Sequence, residues 1–176
     1  MSNDKVSIRR RALALISANG HGVGSRLVTE FGLSRQVASG YLQAMAKEGL
    51  ILAEGTTRAR IYRLAVLDEA TRTYACKGLQ EDMVSRELVA PRTIEFAGNV
   101  RDIWSYASTE MINNAIDHSG AAEVAVSVRK NALYTEVTVA DEGEGIFLKI
   151  QRALGLHDPR EAILELAKGK LTTAPQ

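Results

Sequence analysis

Four polar side chains share one side of a helical pattern in the middle of the chain: Glu110, Asn114, Asp117 and His118, within the stretch EMINNAIDHSG. At about 100° per residue they project as nearly one stripe beside an apolar face. Converging carboxylate, amide and imidazole groups are the makings of a polar site, although such a stripe is more often a solvated face. A second cluster follows at Asp141-Glu-Gly-Glu-Gly-Ile-Phe147. An aspartate at a strand end, followed by glycines two residues apart, puts a fixed carboxylate beside a backbone that can bend or approach a ligand closely. Turns are rich in Asp and Gly, so the order of the two clusters tells more than either alone.

The elements that must position these groups can be read from periodicity. Val100, Ile103, Trp104, Ala107, Met111, Ile112 and Ile116 recur at steps of three and four, which predicts a helix with that face buried. Asn99 is expected as its N-cap, with Asp102 three residues on, and Ser119-Gly120 as its stop. Two β-branched runs, Glu123–Val128 and Tyr134–Ala140, joined through Lys130-Asn-Ala132, predict an antiparallel hairpin leading into the Asp141 cluster. Upstream, a strand is expected near residues 71 to 78 and a helix around Glu81 to Val89, interrupted at Pro91.

The order of polar-striped helix, hairpin and DEGEGIF resembles the GHKL nucleotide-binding fold of gyrase, heat-shock chaperones, histidine kinases, mismatch-repair ATPases and anti-sigma-factor serine kinases. Glu110 to His118 is similar to its N box, and Asp141, Gly143, Gly145 and Ile146 to its first glycine box. The resemblance implies ATP and Mg2+ as cofactors. Asn114 would be the Mg2+ ligand, in keeping with that ion's preference for oxygen donors. Glu110 would be the catalytic group that orients or deprotonates the nucleophile. Asp141 would accept the adenine amino proton, Gly143 and Gly145 would let the next loop hinge over the nucleotide, and His118 would contact phosphate. A surface histidine near a helix end is an equal reading of His118.

The family closes its phosphate site with a second glycine-rich box, and this chain has none: Gly155 and Gly169 are isolated. After Phe147 the pattern predicts helix, turn and helix up to Ala167. The chain is therefore expected to be either a piece of a longer protein or a form that has lost part of the pocket. The ending LTTAPQ favours the first, and such a piece is expected to be inactive as an ATPase or kinase.

The first third has a different rhythm. Ile8, Ala12, Leu15 and Ile16 mark a first helix. Ser25 is expected to cap a second that turns Leu27, Val28 and Phe31 inward, and Gly32 makes a tight turn. Ser34 then caps a third helix carrying Val37, Tyr41, Leu42 and Met45. A β-hairpin over residues 49 to 64 follows, with a basic return strand. This resembles the winged helix-turn-helix family of DNA-binding domains, which implies DNA as a partner. Arg35, Gln36 and Ser39 would reach base edges, Arg58 and Arg60 would grip phosphate or the minor groove, and Arg9 to Arg11 would add backbone contacts.

Charge partition agrees with that division of labour. Residues 1 to 64 carry ten Lys or Arg against four Asp or Glu, and the remainder twelve against seventeen, although the net charge is only +1. Phosphate attraction requires a basic surface of the first module and not of the second. Winged helices also dock proteins, so a protein partner stays open. Gly40 inside the third helix costs it about 1 kcal/mol relative to alanine.

The expected fold class is α+β: a winged helix-turn-helix domain over residues 1–66, a linker over 67–70, and a partial GHKL-type α/β sandwich over 71–176, a mixed sheet with helices on one face. An edge strand at the start of that sandwich would allow a homodimer. No apolar run approaches the roughly 20 residues that span a bilayer, and the opening MSNDKVSIRR lacks a signal-peptide core, so no membrane partner and a cytoplasmic location are expected. The single cysteine, Cys76, permits no internal disulfide, and the three histidines have no zinc-site spacing. Two functions follow from the resemblances: an ATP-responsive transcription regulator, or a serine or histidine protein kinase that uses the winged helix for docking. The only histidine upstream of the N-box region is His21, in a glycine-rich loop, which disfavours autophosphorylation on histidine.

Overall fold

The computed structural model describes residues 5–56 and 59–158. The chain is mixed α and β, with helices and two small antiparallel sheets. The described residues separate into two compact units: those up to Ala70 together with Val128–Glu136, and Thr71–Ser127 together with those from Val137 onward. Among the described residues no helix is long and apolar enough to cross a membrane.

In the first unit, α1 (Lys5–Ala18), α2 (Val23–Phe31) and α3 (Arg35–Lys47) precede the hairpin of β1 (Ile51–Glu54) and β2 (Ile61–Leu64). Ile8, Ala12, Leu15, Ile16, Leu27, Leu42, Met45 and Ile51 form one buried core. The hairpin pairs Ile51 with Leu64 and Glu54 with Ile61. Gly55 turns it with φ 74°, and a Cβ there would meet the Ala59 carbonyl oxygen at 2.7 Å. Two expectations shift in register. α2 begins at Val23 after Gly22 in the left-handed region, so Ser25 lies inside the helix and caps nothing. In α3, Ser34 accepts the Val37 amide at 3.2 Å as a cap, but Val37 itself is 47 % exposed and Ala38 takes the buried place. Ala38 joins the buried core of the unit.

Strand β3 (Asp68–Ala75) begins three residues before the expected strand, so the proposed linker at 67–70 is mostly strand. β3, β4 (Glu123–Lys130) and β5 (Thr135–Asp141) form a sheet in that order. Leu67 N–H donates to Lys130 at 2.8 Å and Cys76 N–H to Ala122 at 2.9 Å, an antiparallel pattern. The tip of the β4–β5 hairpin belongs with the first unit, where Ala132 and Leu133 pack against its core.

In the second unit, α4 (Glu81–Val84), a π-helical turn (Ser85–Val89) and α5 (Ala90–Thr93) run on through Pro91 instead of ending at it. A proline ring collides with the carbonyl four residues back in a regular α-helix, and the wider π turn just before Pro91 relieves that collision. α6 (Gly98–His118) follows, then β4, β5 and α7 (Ile146–Leu154).

The start and the buried face of α6 both differ from expectation. The helix begins after Ala97, whose carbonyl accepts from Val100 and Arg101 at 2.9 Å, so Asn99 is inside it. Its buried residues are Ser108, Ile112 and Ala115, whereas Ile103 is 64 % and Met111 43 % exposed. Steps of three and four are satisfied by two neighbouring stripes that share Ile112, which is buried as expected, and in the packed one its companions Ser108 and Ala115 are small. Ser108 Oγ lies 3.3 Å from Ser85 Oγ, an approach that larger residues would prevent.

Candidate functional site

Asp141 ends β5, and its carboxylate is held in place by its own loop. Asp141 Oδ1 accepts the Gly143 N–H at 3.0 Å, a local turn that leaves the other oxygen open. Gly143 is then drawn against the end of α6: a Cβ there would collide with the Ser119 carbonyl oxygen, which accepts the Glu144 N–H at 2.9 Å. Gly145 has φ 77° and leads into α7, a backbone state that L side chains rarely adopt. The two glycines thus serve different ends, close approach at 143 and dihedral freedom at 145.

Ser119 is the residue that sequence reasoning underrated. Read only as a helix stop, it is buried, its Oγ donates to the Ala115 carbonyl at 2.5 Å, and the same Oγ accepts the Ala121 N–H at 3.0 Å. Through these bonds and its own carbonyl it joins the end of α6, the start of β4 and the loop after Asp141. The pairing of a helix-final serine with a glycine more than twenty positions away is a tertiary fact with no local signal.

These contacts leave a cleft of about 260 Å³, lined by Met111, Asn114, Ala115, Ser119, Val139, Asp141 and Gly145. Asn114 and Asp141, singled out on separate elements, therefore share one cavity, and Gly145 joins them. Glu110, His118 and Gly143 are outside its lining. Glu110 is one helical turn before Asn114, about 6 Å along the axis, and is exposed. Met111, Ala115 and Val139 supply an apolar wall.

The cleft offers the Asn114 amide, a carboxylate anchored at one oxygen and an apolar side. That donor set can accept from an amino group at Asp141 and offer one oxygen to a hydrated cation at Asn114. Its volume is below the roughly 300–1,000 Å³ of sites that enclose a whole drug-sized ligand, so the fit covers part of a nucleotide. Among the described residues no group of three or more His, Cys, Asp or Glu could hold a metal. A phosphate-bound Mg2+ needs no such group, because it keeps several waters and takes one or two protein oxygens.

In the first unit a groove of about 570 Å³ is lined by the start of α2 and by Thr29, Arg35, Ser39, Leu42, Arg60 and Tyr62. It brings together Arg35 and Ser39 of α3 and Arg60, which precedes β2. Gln36 is exposed on α3 outside that lining, and Arg58 lies outside the described residues. Arg9 and Arg11 are ion-paired. Arg9 bonds Glu48, and Arg11 bonds Glu30 at 2.6 and 2.8 Å. Each pair raises the guanidinium pKa, through its hydrogen bonds first, and lowers that of the carboxylate for the same reason. These arginines tie α1 to α2 and to the end of α3.

Comparison with protein-family models, with curated proteins and with solved structures returns no significant match for this chain.

Proposed function

We propose that the protein is a DNA-binding regulator whose second unit binds an adenine nucleotide, a winged-helix reader joined to a GHKL-type module. The observation that carries this reading is the meeting of Asn114 and Asp141 on one cleft, from a helix and a strand end separated by a whole hairpin. The groove shared by Arg35, Ser39 and Arg60 supports the DNA-reading half, as does the basic surplus of residues 1 to 64.

In this reading Asp141 accepts from the base amino group, and its Gly143 bond keeps the carboxylate from rotating away. Met111 and Val139 cover the base face, and Asn114 offers its carbonyl oxygen toward the phosphate side. Bound Mg2+ would neutralise phosphate charge there. Glu110 stands outside the cleft lining, so the reading rests on binding and not on phosphoryl transfer.

The test is calorimetric titration of the full chain with Mg2+ and ATP or GTP, beside Asp141→Asn and Asn114→Ala. ATP should bind in preference to GTP, and Asp141→Asn should weaken ATP binding by about tenfold or more, the usual loss for a charged hydrogen bond. A labelled DNA duplex titrated with and without ATP reads the regulatory half. Equal binding of ATP and GTP, or indifference to both substitutions, would remove the nucleotide site from this reading. Unaltered DNA affinity on ATP saturation would remove the coupling.

A further inference from the structure

A further cavity, within the first unit, shares only Tyr62 with the groove above. It measures about 460 Å³, in the range of sites that enclose small ligands, and its walls include His21, Tyr62, Arg63, Arg129, Asn131 and Tyr134. We propose that it binds a small aromatic carboxylate, clamped between Arg63 and Arg129.

The charge is one-sided. Among the described residues two arginines line the cavity and no carboxylate does. Each arginine has an acidic neighbour outside it, but those contacts leave most of the fork free. Arg63 uses Nε alone toward Glu54, at 3.1 Å to each oxygen, so both Nη groups keep their protons for another acceptor. The Arg129 Nε is 3.8 Å from Glu69, beyond a direct hydrogen bond. Two guanidinium forks on one cavity suit the geometry of a carboxylate.

The rest of the wall is mixed: Ser17, Asn19, His21 and Asn131 are polar, and the other part is apolar and aromatic. Tyr62 and Tyr134 line the cavity, and Tyr134 and Val66 are 46 % and 43 % exposed at its rim. A hydrated inorganic anion would gain nothing from these surfaces. A flat apolar body attached to a carboxylate would cover them.

The walls are also preorganised. Asn131 is buried and its Oδ1 accepts from Leu133 and Tyr134 at 2.8 and 2.9 Å, which locks the hairpin tip carrying Tyr134. Opposite, Tyr62 N–H donates to the Gly20 carbonyl at 3.0 Å, and Gly20 has φ 70° with no room for a Cβ. Rigid walls lose little entropy on binding.

The experiment is an amide-resolved NMR titration of the full chain with benzoate, phenylacetate and indole-3-acetate in turn. Benzamide serves as the neutral counterpart, and inorganic phosphate as the anion without an apolar body. At least one carboxylate should give saturable shifts at Asn19, His21 and Tyr134. Benzamide, phosphate and the Arg129→Gln variant should each bind about tenfold more weakly or worse. Arg129→Lys should fall between, because it keeps the charge and loses the fork. Three outcomes overturn the proposal: no saturable shift with any of the three carboxylates, shifts confined to other residues, or benzamide matching its carboxylate. The benzamide comparison uses the unaltered protein and decides the matter even if a variant fails to fold.

Discussion

Gly143 is pressed against the carbonyl of Ser119 so closely that a single added methyl group would overlap it. The contact joins the loop after β5 to the end of α6 and so brings Asp141 and Asn114 to one cleft. Gly143→Ala must push the loop outward, and overpacking of this kind costs about 1–3 kcal/mol. The expected result is a lower urea midpoint for the second unit and a changed environment at Asn114, read from its NMR shifts. A variant with unaltered stability and shifts would show that the loop relaxes freely.

Gly40 presents the opposite case. It lies on the exposed side of α3, and a Cβ there meets nothing within 4 Å. Gly40→Ala removes the entropic cost of a mid-helix glycine, so it should stabilise the first unit by about 0.5–1 kcal/mol. Thermal unfolding followed by circular dichroism reads the gain, and a fall in midpoint would contradict it.

Acid should weaken the first unit through Glu30 and Glu48. Both carboxylate pKa values are lowered, chiefly by hydrogen bonds from Arg11 and Arg9. A lowered folded-state pKa gives stability that is present above the ordinary carboxylate range and lost as pH falls through the lowered value. The urea midpoint should therefore drop between neutral pH and about pH 3, and drop less in the Glu30→Gln/Glu48→Gln double variant. Equal pH dependence in the two proteins would mean that other carboxylates dominate.

Cys76 should be a slow thiol. It is buried, and burial first, then the Asp141 and Glu123 carboxylates, push its pKa upward. The reactive thiolate is thus scarce at neutral pH. Its reaction with a disulfide reagent should accelerate through the urea transition of the second unit, and a native rate equal to that of a free thiol would contradict the burial.

If the groove of the first unit meets DNA phosphates, Arg35→Ala and Arg60→Ala should each weaken binding across unrelated sequences. Each loss should also reduce the slope of log affinity against log salt by about one. Fluorescence anisotropy at a series of salt concentrations measures both. Sequence-dependent losses at Arg35 would instead indicate a base contact, and no loss at either position would take the groove out of DNA binding.

By itself the sequence determined which elements form in the first unit and which residues of α1 fill its core. Ile8, Ala12, Leu15 and Ile16 are buried as their spacing demands, and Ser34 caps α3, because helix periodicity and capping are local physics. It also marked Asn114 and Asp141 as polar groups worth watching. Only the tertiary structure decided which stripe of α6 is inside. Val100, Ile103 and Met111 have the right spacing, but burial follows the partner's shape, and the π-helical turn accepts Ser108 instead. The cleft itself was equally hidden: it depends on Gly143 meeting Ser119 across a hairpin, a contact between residues whose separation in the chain carries no periodic signature.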